Sequence, residues 1–229
     1  MADRCEHCIV RQFNAMRAMT KEELKRISDA KQVKFIDKGD PLFKEGERLG
    51  GVYCMRSGVS KLSKLSVNGK DQIVKIASKG EVLGQRSILN KEPSGLSAVA
   101  VKDVEVCFIP SDAIDSVINH NPDFAVELLR HMAHELNEAD DVILNMSQYS
   151  VKQRLARILL FLQQFGTDEN GFLSVMLSRD DLASMAGTAT ESAIRLLSEF
   201  KKNELIHTSG RKISVLDAKG LQRILHQQG

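Results

Sequence analysis

The spacing of apolar and polar positions changes along this chain, and each change predicts a different element. From about Val33 to Pro110 the apolar runs are short, as in GVYCM, DQIVKIA, LSAVAV and VEVCFIP, rich in β-branched residues and separated by turn residues. Short strands so punctuated predict an all-β sandwich or barrel. Asn68-Gly69, between KLSKLSV and KDQIVKIA, is the strongest hairpin signal, because both residue types tolerate the positive φ of a tight hairpin turn. Ahead of this region, TKEELKRISDA predicts a short helix with Thr20 and Glu23 as a capping box.

A helical rhythm follows. Pro122 opens a stretch with no internal Gly or Pro, at least to Ser147. Ala125, Leu129, Met132, Leu136, Ala139, Ile143 and Met146 recur at alternating spacings of four and three, the a/d seam of a coiled coil. A helix packed only on its own domain is the simpler alternative, but the regular seam favours dimerisation. Tyr149-Ser150 interrupts the pattern. VKQRLARILLFLQQFG then resumes as a helix, with Leu155, Ile158, Leu159 and Leu162 as its supporting face.

Residues 177–205, LSRDDLASMAGTATESAIRLLSEFKKNEL, read as two short helices about Gly187. Ser178 with Asp181, and Thr188 with Glu191, both match a helix-capping signature. Leu182, Met185 and Ala186 on one helix can share a core with Ala193, Leu196, Leu197 and Phe200 on the other. Thr190, Glu191, Ile194, Arg195 and Ser198 are left on an outward face. A helix-turn-helix reads base edges with such a face, whereas an ordinary helical hairpin would leave Glu191 and Arg195 as a solvated pair. LIHTSGRKISVL then predicts two brief strands around Ser209-Gly210, a wing with basic residues near its tip. Thr188, Lys201, Lys202, Arg211 and Lys212 are the expected phosphate contacts.

Composition narrows the class. The chain has 229 residues, 42% hydrophobic and 27% charged, enough for two modest globular domains. No apolar run approaches the ~20 residues of a membrane span. MADRCEHCIVRQF lacks the features of a secretory signal, so a cytoplasmic location is expected and no membrane partner. The net charge of +2 says little, but residues 150–229 hold 11 Lys/Arg against 8 Asp/Glu, a balance of +3. No P-loop spacing and no Ser/His/Asp arrangement points to an enzyme. Cys5 and Cys8 form a C-x-x-C, a spacing that lets two thiolates bind one metal or cluster, or react with each other.

Taken in order, these elements resemble the Crp–Fnr family of bacterial transcription regulators over nearly the whole chain. GTATESAIRLL, residues 187–197, is similar to the family's recognition helix with its E-x-x-x-R core. The resemblance implies an α+β protein: a cyclic-nucleotide-binding-type β-roll (jelly roll) over 1–115, a dimerisation helix over 116–148 and a winged helix-turn-helix over 149–229. It implies a homodimer that reads an inverted-repeat operator in double-stranded DNA, and contact with RNA polymerase if the protein is an activator. Arg195 would donate to guanine, Glu191 would accept from a cytosine or adenine amino group and orient Arg195, and Thr190 and Ile194 would occupy variable reading positions. In the oxygen-sensing Fnr branch serine precedes this arginine, so Ile194 points to a different operator preference. The rival reading is a signalling module that binds a nucleotide or metal and contacts protein rather than DNA.

On the sensory side the resemblance is partial. The cyclic-AMP branch has a glutamate after the glycine of its phosphate cassette and a downstream Arg-Ser. Here Gly84 is followed by Gln85-Arg86-Ser87, and the downstream position falls near Leu96-Ser97, so cyclic AMP binding is not expected. The Fnr branch holds an iron–sulfur cluster with four cysteines. Cys5, Cys8 and Cys107 match three of them, Asn14 stands at the fourth position, and Cys54 reads as a small buried hydrophobe. A cluster with a different fourth ligand (His7 or an external group), a thiol switch between Cys5 and Cys8, and a tip that binds nothing all remain open.

Overall fold

In the computed structural model, residues 4–66 and 69–226 are described. The chain divides into two compact units, residues 1–65 with 75–138, and residues 66–74 with 139–229.

The first unit begins with 3-10 turns at Cys5–His7, Ile9–Phe13 and Ala15–Ala18, followed by helix α1 (Lys21–Ala30). The expected capping box forms: Thr20 Oγ1 accepts from the Glu23 amide at 3.2 Å, and Glu23 Oε2 accepts from the Thr20 amide at 2.8 Å. Strands β1 (Gln32–Ile36), β2 (Pro41–Phe43), β3 (Gly51–Ser57), β4 (Val59–Leu65), β5 (Asp71–Ser78), β6 (Val82–Leu83), β7 (Ser97–Ala100) and β8 (Val104–Pro110) make two sheets, ordered β1-β8-β3-β6 and β2-β7-β4-β5. Helix α2 (Gln85–Asn90) separates β6 from β7, and α3 (Ser111–His120) leads into the long α4 (Pro122–Gln148). The turn expected at Asn68-Gly69 lies partly outside the described residues; Gly69 itself has φ +73°.

Strand alternation gives this unit two cores. On β3, Tyr53 and Met55 point inward between the sheets with Phe43, Leu62, Leu83, Ala98 and Val106. Val52 and Cys54 point to the other face, where Cys107, Ile109 and the N-terminal segment meet α1, α3 and the start of α4. A side-chain period of two makes this split inevitable for a strand buried on both faces. Gly51 permits the closest approach of β3 to β8, since a Cβ there would lie 2.1 Å from the Ile109 carbonyl oxygen.

The second unit takes up the end of α4, then α5 (Val151–Gln163), α6 (Arg179–Ala186), α7 (Thr190–Lys202), β9 (Ile206–Ser209), β10 (Lys212–Val215) and α8 (Ala218–Leu225). Ser150 ends one helix and starts the next through a capping box with Gln153. Leu155, Ile158, Leu159 and Leu162 are buried, as their spacing requires. Ser178 and Asp181 form their capping box.

The expected box between Thr188 and Glu191 does not form. α7 starts at Thr190, with Ala189 rather than Thr188 as its N-cap. The cause is the closure of α6. Gly187 adopts φ +60°, and the Thr188 amide donates back to the Ala183 carbonyl at 3.0 Å, a Schellman-type ending that uses Thr188 for the preceding helix.

Candidate functional site

Helix α7 has one buried and one open face. Ala193, Leu197 and Phe200 are buried in the unit's core, while Glu191, Ile194, Arg195 and Ser198 are exposed. Among the described residues Glu191 and Arg195 make no side-chain hydrogen bond or ion pair, so the solvated i,i+4 pair of an ordinary helical hairpin is not formed. Thr190 is half-buried, and its Oγ1 donates to Asp180 Oδ1 on α6 at 2.7 Å. The Ser198 hydroxyl turns back to the Ile194 carbonyl at 2.9 Å. The free groups nearest the helix start are therefore Glu191, Ile194 and Arg195.

The basic residues divide into free and engaged. Lys201, Lys202 and Arg211 are exposed, Arg211 in the turn between β9 and β10. Lys212 is half-buried, paired with Asp168 at 3.1 Å and lying 5.4 Å above the Phe172 ring. Backbone amides, chiefly that of Phe172, hold the Asp168 carboxyl below its ordinary range, and Lys212 adds to this. Thr188 is half-buried behind the turn. The sequence reading missed Arg179, the first residue of α6, whose Nη2 donates to the Gly210 carbonyl at the wing tip at 3.1 Å. It also missed Arg154, which donates to the carbonyls of Met146, Tyr149 and Ala186 and so satisfies groups left open near two helix ends. Neither contact has a local sequence signature, because the acceptors are backbone atoms of other elements.

On α4, Phe124 and Leu128 are buried against the outer core, whereas Leu129, Leu136 and Ile143 are 68%, 63% and 66% exposed. Ala139 is exposed, and Ala125 and Met132 are half-buried. Met146, the last seam position, is also half-buried and leans over Gly187, where an added Cβ would lie 2.9 Å from its sulfur. Leu129, Leu136 and Ile143 follow one another at intervals of seven on one exposed stripe of α4, and Val126, Val142 and Leu144 are exposed on the same helix.

The cysteines come together on the outer core. Cys5, Cys54 and Cys107 are buried in it and Cys8 packs against it. Cys54 and Cys107 are directly opposed across β3 and β8. Cys54, expected as a small core hydrophobe, is buried as such a residue would be, but among thiols. Burial, with the neighbouring Cys107, Cys8 and Cys5, pushes its thiol up to about 12. Burial also raises Cys107, against the pull of Lys31 and Arg56.

Two family models match the chain: a cyclic nucleotide-binding domain over residues 33–121 and a Crp-like helix-turn-helix domain over residues 153–224. The transcriptional activator protein Anr of Pseudomonas protegens is 28% identical over 218 residues, 93% of this chain and 88% of its own length. The fumarate and nitrate reduction regulatory protein of Yersinia pestis is 28% identical over 225 residues, 96% and 89% of the two chains. The chain belongs to the Crp–Fnr family of transcription regulators. In fold, this Crp–Fnr regulator is similar to FixK2 from Bradyrhizobium japonicum, with a TM-score of 0.74 at 23% identity, covering 87% of this chain and 99% of that one. It is equally similar to the CRP/FNR-family regulator TTHA1359 of Thermus thermophilus, with a TM-score of 0.74 at 23% identity, covering 86% and 100%. Crp–Fnr regulators bind DNA as dimers and contact RNA polymerase, and they are not enzymes. No helix among the described residues is long and apolar enough to cross a membrane.

Two ligands come with the family, and the donor sets treat them differently. A cyclic phosphate needs a cation. At the downstream cassette position the regulator has Leu96 and Ser97, and Ser97 Oγ accepts the Glu45 amide at 3.0 Å. Gln85, after Gly84, is buried and donates to Glu135 at 3.2 Å, and Arg86 pairs with the same carboxylate at 3.1 Å. These residues do not fit a cyclic nucleotide. Four gathered thiols, by contrast, fit a thiophilic group such as an iron–sulfur cluster.

Proposed function

We propose that this regulator reads an inverted-repeat operator through α7, with Arg195 donating to guanine, Glu191 accepting from a base amino group and Ile194 meeting an apolar base edge. The observation that carries this reading is the open face of α7, where Glu191, Ile194 and Arg195 stand exposed and unengaged near the helix start. Thr190 borders that face. Lys201, Lys202 and Arg211 are the phosphate contacts, with Arg179 set beside the wing. Lys212 and Thr188 join them only if they leave their present environments.

The reading divides the chain into a sensor over 1–115, a dimerisation helix over 116–148 and a DNA-binding domain over 149–229. Leu129, Met132, Leu136, Ala139, Ile143 and Met146 make the seam between protomers. A signal at the sensor changes the balance between two arrangements of the dimer, because a ligand shifts such a balance only by binding one state better. Activation of transcription, which the name of the relative Anr carries, and a cytoplasmic location complete the reading. Selection from randomised duplex DNA tests it: the pool should converge on an inverted repeat. Arg195→Ala should lose discrimination at one symmetric position by about 1–3 kcal/mol with its melting temperature unchanged. An unaltered base preference in that variant would remove Arg195 from the reading face.

A further inference from the structure

The position where a third N-terminal thiol would stand is Asn14, and its side chain is fully committed. It is 3% exposed, its Oδ1 accepts from the Met16 amide at 3.0 Å, and its Nδ2 donates to the Gly80 carbonyl at 2.9 Å. The same Nδ2 lies 3.7 Å from Cys54 Sγ. A thiol therefore does stand at this place in the fold, but it is delivered by β3 rather than by the N-terminal segment. Strand register sets Cys54 opposite Cys107, and both face the outer core that encloses Cys5 and receives Cys8. We propose that Cys54 is the fourth ligand of a four-cysteine site, with Cys5, Cys8 and Cys107, that binds an iron–sulfur cluster.

Among the described residues no group of three or more Cys, His, Asp and Glu side chains is arranged to hold a single metal ion. A cluster takes one thiolate at each of several irons, so its ligands need not converge on one point. Burial of three of the four thiols keeps water away, while Cys8 is half-exposed and leaves a way in. In exchange with a preformed cluster capped by small thiolates, each cysteine Sγ–Fe bond forms as one small-thiolate S–Fe bond breaks. The cysteine proton leaves on the displaced small thiol, and no electron changes hands.

This inference deepens the sensory half of the proposed function and is independent of which bases α7 reads. The test uses the full-length protein without oxygen and a synthetic tetranuclear iron–sulfur cluster capped by small thiolates as the probe. Iron, labile sulfide and visible absorption are measured on the protein after free cluster is removed. Wild type should retain iron and sulfide together. Cys54→Ala should fall to the level of Cys5→Ala, and the double variant Asn14→Cys/Cys54→Ala should regain iron and sulfide. If Cys54→Ala fails to fold, as read by circular dichroism, the near-isosteric Cys54→Ser makes the same comparison. Wild-type iron and sulfide in a folded Cys54 variant would overturn the proposal, as would a wild type that takes up zinc but no cluster. Operator selection on the same samples keeps the readings apart, because loss of DNA binding with the cluster retained counts only against α7.

Discussion

Single residues in this regulator carry constraints that their neighbours in sequence do not reveal. Gly187 holds φ +60° between α6 and α7, with Met146 against it. An L side chain pays about 1–2 kcal/mol in the left-handed region, and the flexible thioether of Met146 can move aside. Gly187→Ala should therefore destabilise the C-terminal unit by about 1–2 kcal/mol, read by denaturant unfolding. The thiols differ in a way that modification can read. Iodoacetamide attacks thiolate, and burial pushes Cys54 up to about 12 while leaving Cys8 half-exposed. In native cluster-free protein near neutral pH, peptide mass mapping should find Cys8 alkylated well before Cys54. Equal rates would mean that the outer core opens freely. Because the folded Cys54 thiol titrates above its unfolded counterpart, its contribution to stability is complete below the ordinary thiol pKa and is lost as pH rises towards about 12.

At the scale of elements, α4 has one buried and one exposed apolar stripe. Phe124 and Leu128 fix it to its own β-roll, and Leu129, Leu136 and Ile143 remain exposed on the other stripe. Leu136→Lys should leave the protomer folded, since the side chain is 63% exposed, and should shift sedimentation towards monomer at micromolar concentration. A helix needed only by its own domain would show no such shift. The apolar stripe itself was legible in sequence, because its spacing is a property of one helix. Helix ends were legible where the signal was local, as at Thr20, Ser150 and Ser178. It misled at Thr188, where two helices compete for one residue and the closure of α6 prevails.

At the scale of the whole molecule, one charge cluster ties the β-roll to the middle of α4. Lys75 lies 3.5 Å from Glu81, 3.7 Å from Glu135 and 3.1 Å from Glu138, at the rim of a cavity of about 270 Å³. Burial opposes its charge, but the surrounding carboxylates outweigh that and raise its pKa. Glu81 is raised as well, by burial first, with Glu138 and Glu135 opposing the help it gets from Lys75. The acids around Lys75 raise it against burial, whereas for Glu81 burial is the first cause and the neighbouring acids add to it. A raised folded pKa means stability that is present below the unfolded value and lost as pH rises through the folded one. Glu81→Gln should therefore raise the melting temperature at neutral pH and lose that advantage in acid, below the ordinary carboxylate pKa. Equal melting shifts at both pH values would show that Glu81 carries no buried charge.

What the sequence by itself determined is most of what is periodic or local: the strand-rich first unit, the apolar stripe of α4, the helix pair with Glu191 and Arg195 outward, and the hairpin after it. Period and capping act over a few residues, so one chain suffices to read them. The assembly of the cysteines was decided only in three dimensions. Nothing near Cys54 in sequence marks it as more than a small core residue. Register with β8 sets it opposite Cys107, and the folded N-terminal segment brings Asn14, Cys5 and Cys8 to the same face. Strand pairing between residues far apart in sequence is a tertiary choice, and here it supplies a thiol where Asn14 supplies none.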